Sequence, residues 1–438
     1  MVEVVPIEDR GLGNTSYLVD LGDGSGLVID PERDPLPYLQ AAKRHRLEVR
    51  HVAETHLHAD FVSGARELVA LGASLIAPRA GQLTHPHQPV GEDDQVQVGD
   101  LTLRVIDTPG HTPEHVAYLL IDGEAALVLF SGGTLMVGGV ARPDLISPEL
   151  TTPLAHQAYQ SVRRLFAILP EGVQVRPTHG GGSFCSSAGA GPGWSTIGAE
   201  KLTHPVLTSP NADQFVDDLL SGLGSYPPYF RRLREVNRLG PRTYGAELPP
   251  LALIHDPKGL TLVDARPIDR FAQGHIARSI SISLRDQFAT WLGWMVEPDL
   301  PLAFVLDPDQ DERDLVRQAL NVGYENLAGR IDLDDWVAQG KELAVIPLFS
   351  REEIPAEAPI LDIRQTSEAA LGQLPGATHI ELGHLLSEAG RVAPGSVVHC
   401  EHGHRAMTAA SLLARAGNPP AGATSASYDQ IATTRDRR

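Results

Sequence analysis

Short runs of alternating apolar and polar positions fill the first half of the chain, and each run breaks at a loop rich in Gly, Pro or His. TSYLVDL (15–21) and SGLVIDP (25–31) predict the two strands of a hairpin, and DPLPYLQAAKRHRL (34–47) predicts a helix. VRHVAET (49–55) is a strand, FVSGARELVALGA (61–73) a helix and ASLIAP (73–78) a strand. LTLRVIDTPGHT (101–112) reads as a strand entering a loop. HVAYLLID (115–122) and AALVLFSGG (125–133) are further strands, and TTPLAHQAYQSVRRLFAIL (151–169) is a long helix. Every polar cluster of interest follows a strand, where layered α/β folds commonly place their sites.

The pattern changes at SYPPYFRRLREVNRLGPR (225–242), a Pro- and Arg-rich stretch expected to separate domains. Beyond it the chain repeats itself. LTLVDARPIDRFAQGHIARSISIS (260–283) parallels PILDIRQTSEAALGQLPGATHIEL (359–382), with Asp264/Arg266 and Asp362/Arg364 preceding Gly274 and Gly372 at the same interval. An apolar strand follows each copy, LAFVLD in the first and SVVHC in the second. The expected organisation is 1–225 as one domain, 226–245 as a linker, and two related α/β domains at 246–345 and 346–438.

Composition narrows the function. A net charge of −19 argues against nucleic acid or an anionic membrane as partner. No apolar window is long enough for a membrane span. The N-terminus has no basic region leading into an apolar run, so no signal peptide is expected and a cytoplasmic location is the default. With 42 Gly and 34 Pro, turns should be many. Two cysteines, Cys185 and Cys400, cannot make a disulfide framework in 438 residues.

Cys400 ends a strand and opens the loop HCEHGHRAMTAASLLARAG (399–417). A helix N-terminus favours a thiolate or persulfide there, Arg405 offers a fork of donors, and Gly403 lets the backbone turn around the sulfur. The loop resembles the active loop of the rhodanese sulfurtransferases, and Gly372–Ala377 resembles their core. Four residues separate Cys400 from Arg405; the related cysteine phosphatases have five, a wider cradle suited to phosphate. In the first copy Asp307 is expected at the cysteine position, so that copy lacks the active Cys and cannot carry a persulfide.

The stretch THLHADF (55–61) resembles the signature of the metallo-β-lactamase fold, as do DTPGHTPEH with His111, FSGGTLMVGGVARPDL (130–145) and RPTHGGG with His179, in the same order. The resemblance implies an N-terminal αββα sandwich. The dinuclear zinc enzymes resembling glyoxalase II have a histidine where this chain has Phe61, which offers no lone pair. Persulfide dioxygenases share the fold and use one Fe(II), held by two histidines and a carboxylate. By that resemblance His56 and His111 are metal ligands. The expected aspartate is absent, because Gly133 stands in its place. Asp144 is not a substitute, since it matches an Asp that the family keeps in addition. Cys185, Asp60, His58 and His179 are implied to surround the metal, Cys185 as a persulfide carrier and the others as orienting or proton-donating groups.

The leading expectation is a persulfide dioxygenase–sulfurtransferase, using Fe(II) with zinc as the alternative. It would take a thiol persulfide and O2 and handle thiosulfate or sulfite at Cys400, with Arg405 assisting. The glycine at 133 leaves an impaired metal site among the readings. Two alternatives stay open: a zinc thioester hydrolase resembling glyoxalase II, and a degenerate metal domain with sulfur-relay activity only. A homo-oligomer is compatible with the architecture by analogy.

Overall fold

The computed structural model describes residues 2–186 and 192–435. They fall into two units, the chain up to Pro249 together with Arg317–Gly323, and the remainder from Pro250.

In the first unit two six-stranded sheets face each other. One runs Val4–Asp9, Asn14–Asp20, Ser25–Ile29, Glu48–Ala53, Ser74–Pro78, Gln88–Val90, with neighbours in chain order. Its first three strands are antiparallel and its last four parallel. The other runs Ser195–Thr196, Gln174–Pro177, Ala125–Gly132, Val116–Asp122, Leu101–Asp107, Gln95–Val98. Side chains alternate across each strand, so Tyr17, Val19 and Leu27 meet Val105, Tyr118, Leu120 and Phe130 between the sheets. The opposite faces take the helices. Leu18, Val28 and Val52 pack on Leu36–His45 and Ala65–Ala70; Ala117, Leu119 and Leu129 pack on Pro148–Ile168. Each such fully buried aliphatic side chain contributes roughly 1.5–3 kcal/mol. The result is the expected αββα sandwich.

Two expectations change here. The helix expected from Phe61 begins only at Ala65, because the Phe61 carbonyl and Ser63 N–H bond to the Asn237 side chain instead of entering a helix. The stretch 226–245, expected as a linker, carries the helix Phe230–Leu239 and belongs to the first unit. Its buried Phe230, Leu233 and Asn237 lie on one helical face.

The second unit holds two all-parallel sheets. One orders Ile280–Ser281, Thr261–Asp264, Leu302–Val305, Leu327–Ile331; the other orders Leu348–Phe349, Gly422–Thr424, Val397–His399, Ile360–Asp362, Thr378–His379. The repeated motif is the same structure twice. Arg266 Nη2 donates to Asp264 (2.6 Å) and to the Gly274 carbonyl (2.9 Å). Arg364 Nη2 donates to Asp362 (2.7 Å) and to the Gly372 carbonyl (2.7 Å). Each ion pair is buried and ties the strand end to the glycine turn. Among the described residues, no helix is long and apolar enough to cross a membrane.

Candidate metal centre and sulfur site

The strand Glu48–Ala53 ends against a buried carboxylate that shapes everything after it. Asp30 accepts hydrogen bonds from Thr55 N and Thr55 Oγ1 (both 2.7 Å) and from Thr178 Oγ1. It thereby clamps the His56 loop to the loop bearing His179. His58 packs against His56 at 4.1 Å between ring centres, its Nε2 3.0 Å from Glu54 and 3.3 Å from Asp30. Burial opposes its charge, but Asp30 and Glu54 raise it to about 10. Its Nε2 sits between these two acids, while its Nδ1 is buried without a partner among the described residues, and His58 belongs to two of the three groups of side chains that could hold an ion.

His56 and His111 are arranged as ligands. Thr55 Oγ1 gives its proton to Asp30, so it can only accept from His56 Nδ1 (2.8 Å), and His56 Nε2 is left bare. His111 Nδ1 donates to the Arg142 carbonyl (2.7 Å), and its bare Nε2 is buried without a partner among the described residues. A metal-bound imidazole typically fixes its second nitrogen this way. Burial, then the neighbouring imidazole of His179, holds His111 down at about 3; burial, then His58, does the same for His179. Both rings are neutral near neutral pH. His56, His111 and His179 each bring a nitrogen to within 4.8 Å of the others. Buried neutral donors converging on one point fit a bound cation, and imidazole suits zinc, iron or copper.

His58, Asp60 and His179 form a second group close enough to hold an ion, but two positions around it offer no donor. Phe61 is fully buried and stacks on His58 at 4.2 Å between ring centres. Gly133 presents only backbone, its N–H donating to His115 Nε2 (2.9 Å). Asp144 is held bidentately by Arg142 at 2.7 and 2.8 Å, away from any ligand role.

Asp60 and Cys185 lie beside the histidines. Asp60 Oδ2 accepts from Asn14 Nδ2 (2.8 Å), while its Oδ1 is buried without a partner among the described residues. Cys185 is fully buried, and burial followed by the neighbouring Asp60 pushes its thiol well above the ordinary value. In this conformation it is a protonated thiol, the less reactive form. Residues 187–191, just beyond it, lie outside the described residues. Three residues at this centre carry no sequence motif, Asn14, Asp30 and Asn237, and a fourth, Glu114, lies inside DTPGHTPEH without having been singled out. Glu114 accepts from Leu57 N (3.1 Å) and pairs with Arg234; Asn237 Nδ2 donates to the His58 and Phe61 carbonyls (2.8 and 2.9 Å). Only a helical stripe interrupted by an Asn could have flagged Asn237.

In the second unit Cys400 is buried at the end of Val397–His399, and its Sγ accepts from Gly403 N at 3.1 Å. Gly403, at φ 84°, caps the helix His404–Arg415; a Cβ there would lie 3.0 Å from both Ile268 Cδ1 and Ser425 Cα. The fork of Arg405, expected at the sulfur, is taken up by an acid. It grips Glu368 bidentately, Nη2 at 2.7 Å, while also lying in the field of Cys400. In the first copy the strand register pairs Asp264 with Val305 as Asp362 pairs with His399. The residue at the cysteine position is therefore Leu306, one place earlier than the expected Asp307. The copy lacks the sulfur nucleophile all the same.

Residues 9–179 match the Metallo-beta-lactamase superfamily. The chain is 36% identical over 185 residues to a hydroxyacylglutathione hydrolase of Methylobacillus flagellatus, covering 41% of this chain. It spans 66% of that relative's length, just short of two thirds. A solved metallo-beta-lactamase from Staphylococcus aureus subsp. aureus COL is similar over 76% of this chain and 99% of its own, with 29% identity and a TM-score of 0.68. ETHE1 from Myxococcus xanthus is similar over 54% of this chain and 98% of its own, with 26% identity and a TM-score of 0.47.

Proposed function

We propose that the metallo-beta-lactamase superfamily domain at residues 9–179 is a one-metal persulfide dioxygenase, joined in this chain to a sulfurtransferase site at Cys400. The observation that carries the reading is Phe61. A buried, stacked phenylalanine stands where dinuclear hydrolases of this fold are expected to have a ligand, and Gly133 offers no bridging carboxylate. His56 and His111 would hold the ion, Fe(II) in this reading. When bound, the ion supplies a binding point for sulfur and the redox chemistry that dioxygen needs.

The protein's own groups do the rest. Asp30 through Thr55, and the Arg142 carbonyl, fix the ligand nitrogens toward the centre. The buried walls formed by Phe61 and its neighbours keep bulk water out. Asp60, its carboxyl raised by burial, is the acid positioned to hold a proton beside the substrate. In balance, one persulfide, one dioxygen and one water give one thiol, one sulfite and two protons, with four electrons passing from the outer sulfur to oxygen. The carrier thiol would be of the glutathione or coenzyme A class. At Cys400 the thiolate attacks the outer sulfur of thiosulfate, the S–S bond breaks, and sulfite leaves with the bonding electrons. Gly403 N–H and the helix N-terminus stabilise the sulfur anion throughout.

A second reading, thioester hydrolysis, is supported by the identity to hydroxyacylglutathione hydrolase. Three assays on the iron-reconstituted full chain separate the readings: oxygen uptake with glutathione persulfide, hydrolysis of a hydroxyacylglutathione thioester, and thiosulfate-to-cyanide sulfur transfer. Uptake and transfer without hydrolysis are expected. Hydrolysis without uptake supports the second reading, and transfer alone leaves a sulfur relay with a degenerate metal domain.

A further inference from the structure

The expected one-iron site needs a third protein donor, and this chain has lost the carboxylate that its resemblance calls for. Position 133 is not a hole left by a deleted side chain. A Cβ on Gly133 would lie 2.8 Å from His111 Cδ2 and 2.9 Å from Ala141 Cβ. The volume is already filled, so neither Asp nor any longer acid fits while His111 stays where it is.

Another residue faces the same point. His179 Nε2 stands 3.3 Å from His56 Nε2. That contact would be a hydrogen bond if either ring carried its proton there, and the surrounding bonds exclude this. Asp60 Oδ2 accepts from the Asn14 amide nitrogen (2.8 Å), which fixes the orientation of the Asn14 side chain. Asn14 Oδ1 then faces His179 Nδ1 at 2.9 Å, and an amide oxygen can only accept. The His179 proton is therefore on Nδ1 and its Nε2 is bare. With His56 protonated on Nδ1 toward Thr55, two lone pairs point at each other at 3.3 Å, and the bare His111 Nε2 joins them within 4.8 Å. All three rings are fully buried. Three acceptor nitrogens packed together without a donor is an unstable arrangement unless a cation sits among them.

We infer that His179 replaces the missing carboxylate, so the centre is a mononuclear site of three neutral imidazoles, with Asn14 and Asp60 as the positioning residues of the third. This inference rests on the reading of His56 and His111 as metal donors and deepens it. It changes the charge at the centre. A carboxylate would offset one positive charge of a divalent ion, whereas three neutral rings offset none, so the ion's open position selects an anion such as a thiolate or persulfide.

The test is metal binding, read without turnover. The wild-type full chain is loaded with one equivalent of zinc, and imidazoles are counted by X-ray absorption. Three imidazoles are expected; two imidazoles with an added oxygen donor overturn the inference. In parallel, cobalt(II) titration of His179→Ala should show affinity weakened by about tenfold or more and altered visible absorption bands, both recovered by added imidazole. A His179→Ala chain with the wild-type cobalt spectrum and affinity also overturns it. If that variant does not fold, the wild-type zinc spectrum decides alone. Three imidazoles without oxygen uptake by the iron form would sink the dioxygenase and leave this ligand set standing; oxygen uptake at a two-imidazole site would do the reverse.

Discussion

At position 133 the resemblance and the packing give opposite advice. The resemblance invites restoration of an aspartate, while the contacts with His111 and Ala141 leave no space for even a Cβ. Gly133→Asp should therefore displace His111 and weaken zinc binding by about tenfold or more, as loss of ligand positioning does. Competition with a chromophoric chelator measures it, and tighter binding would show that the carboxylate was the missing donor after all. His56 and His111 were named through the resemblance of THLHADF and DTPGHTPEH to the fold's signature, and the structure brings their rings together. The tautomer of His179 was not legible in the sequence. It depends on Asn14, far away in the chain, and on an amide orientation that only the folded network fixes. His58, implied to orient ligands or donate protons, meets Asp30 and Glu54, acids from the strand ends around it that its spacing from His56 does not reveal.

Among the elements, the helix Phe230–Leu239 matters most beyond expectation. Its Pro- and Arg-rich surroundings resemble a linker, and its charged face hides a short buried stripe. What the helix delivers is a side-chain amide. Asn237 donates to the carbonyls of His58 and Phe61 and accepts from Ser63 N (2.8 Å), so it holds the whole exit of the metal loop. Asn237→Ala leaves three buried backbone groups without partners, each costing about 1–3 kcal/mol if it stays dry. A loss of roughly 3 kcal/mol in denaturant-induced unfolding of the first unit is expected, together with weaker metal affinity. A near-neutral variant would show that the helix only covers the loop. The longer apolar strands followed the sequence closely, because both faces of each enter a core, whereas Val4–Asp9, Gln88–Val90, Gln95–Val98, Gln174–Pro177 and Ser195–Thr196 were not read from it.

Over the whole molecule, the repeat at 260–283 and 359–382 was legible because an Asp-x-Arg pair and a glycine recur at one interval, and each arginine ties the same two points. The exact residue opposite Cys400 was not, because loop alignment slips by one where strand register does not. The second unit also carries a pH response. Burial, then Arg285 and His402, holds His404 down at about 4, whereas an unfolded histidine titrates near 6.5. Between those values the unfolded chain takes up a proton that the folded chain refuses, so stability falls as pH drops from about 6.5 toward 4. Thermal melts across this range should show the decline, and His404→Gln should make it shallower, the held-down His111 and His179 supplying the rest; an unchanged slope would assign the whole loss to those other groups. Under the proposed function, one metal centre in the first unit oxidises a persulfide independently of the sulfur site. The most direct measurement is oxygen uptake with glutathione persulfide by the iron-loaded Cys400→Ser chain, with sulfite quantified. One sulfite per oxygen consumed, abolished by His111→Ala, is the expected result; no uptake by a chain shown to hold one iron would contradict it.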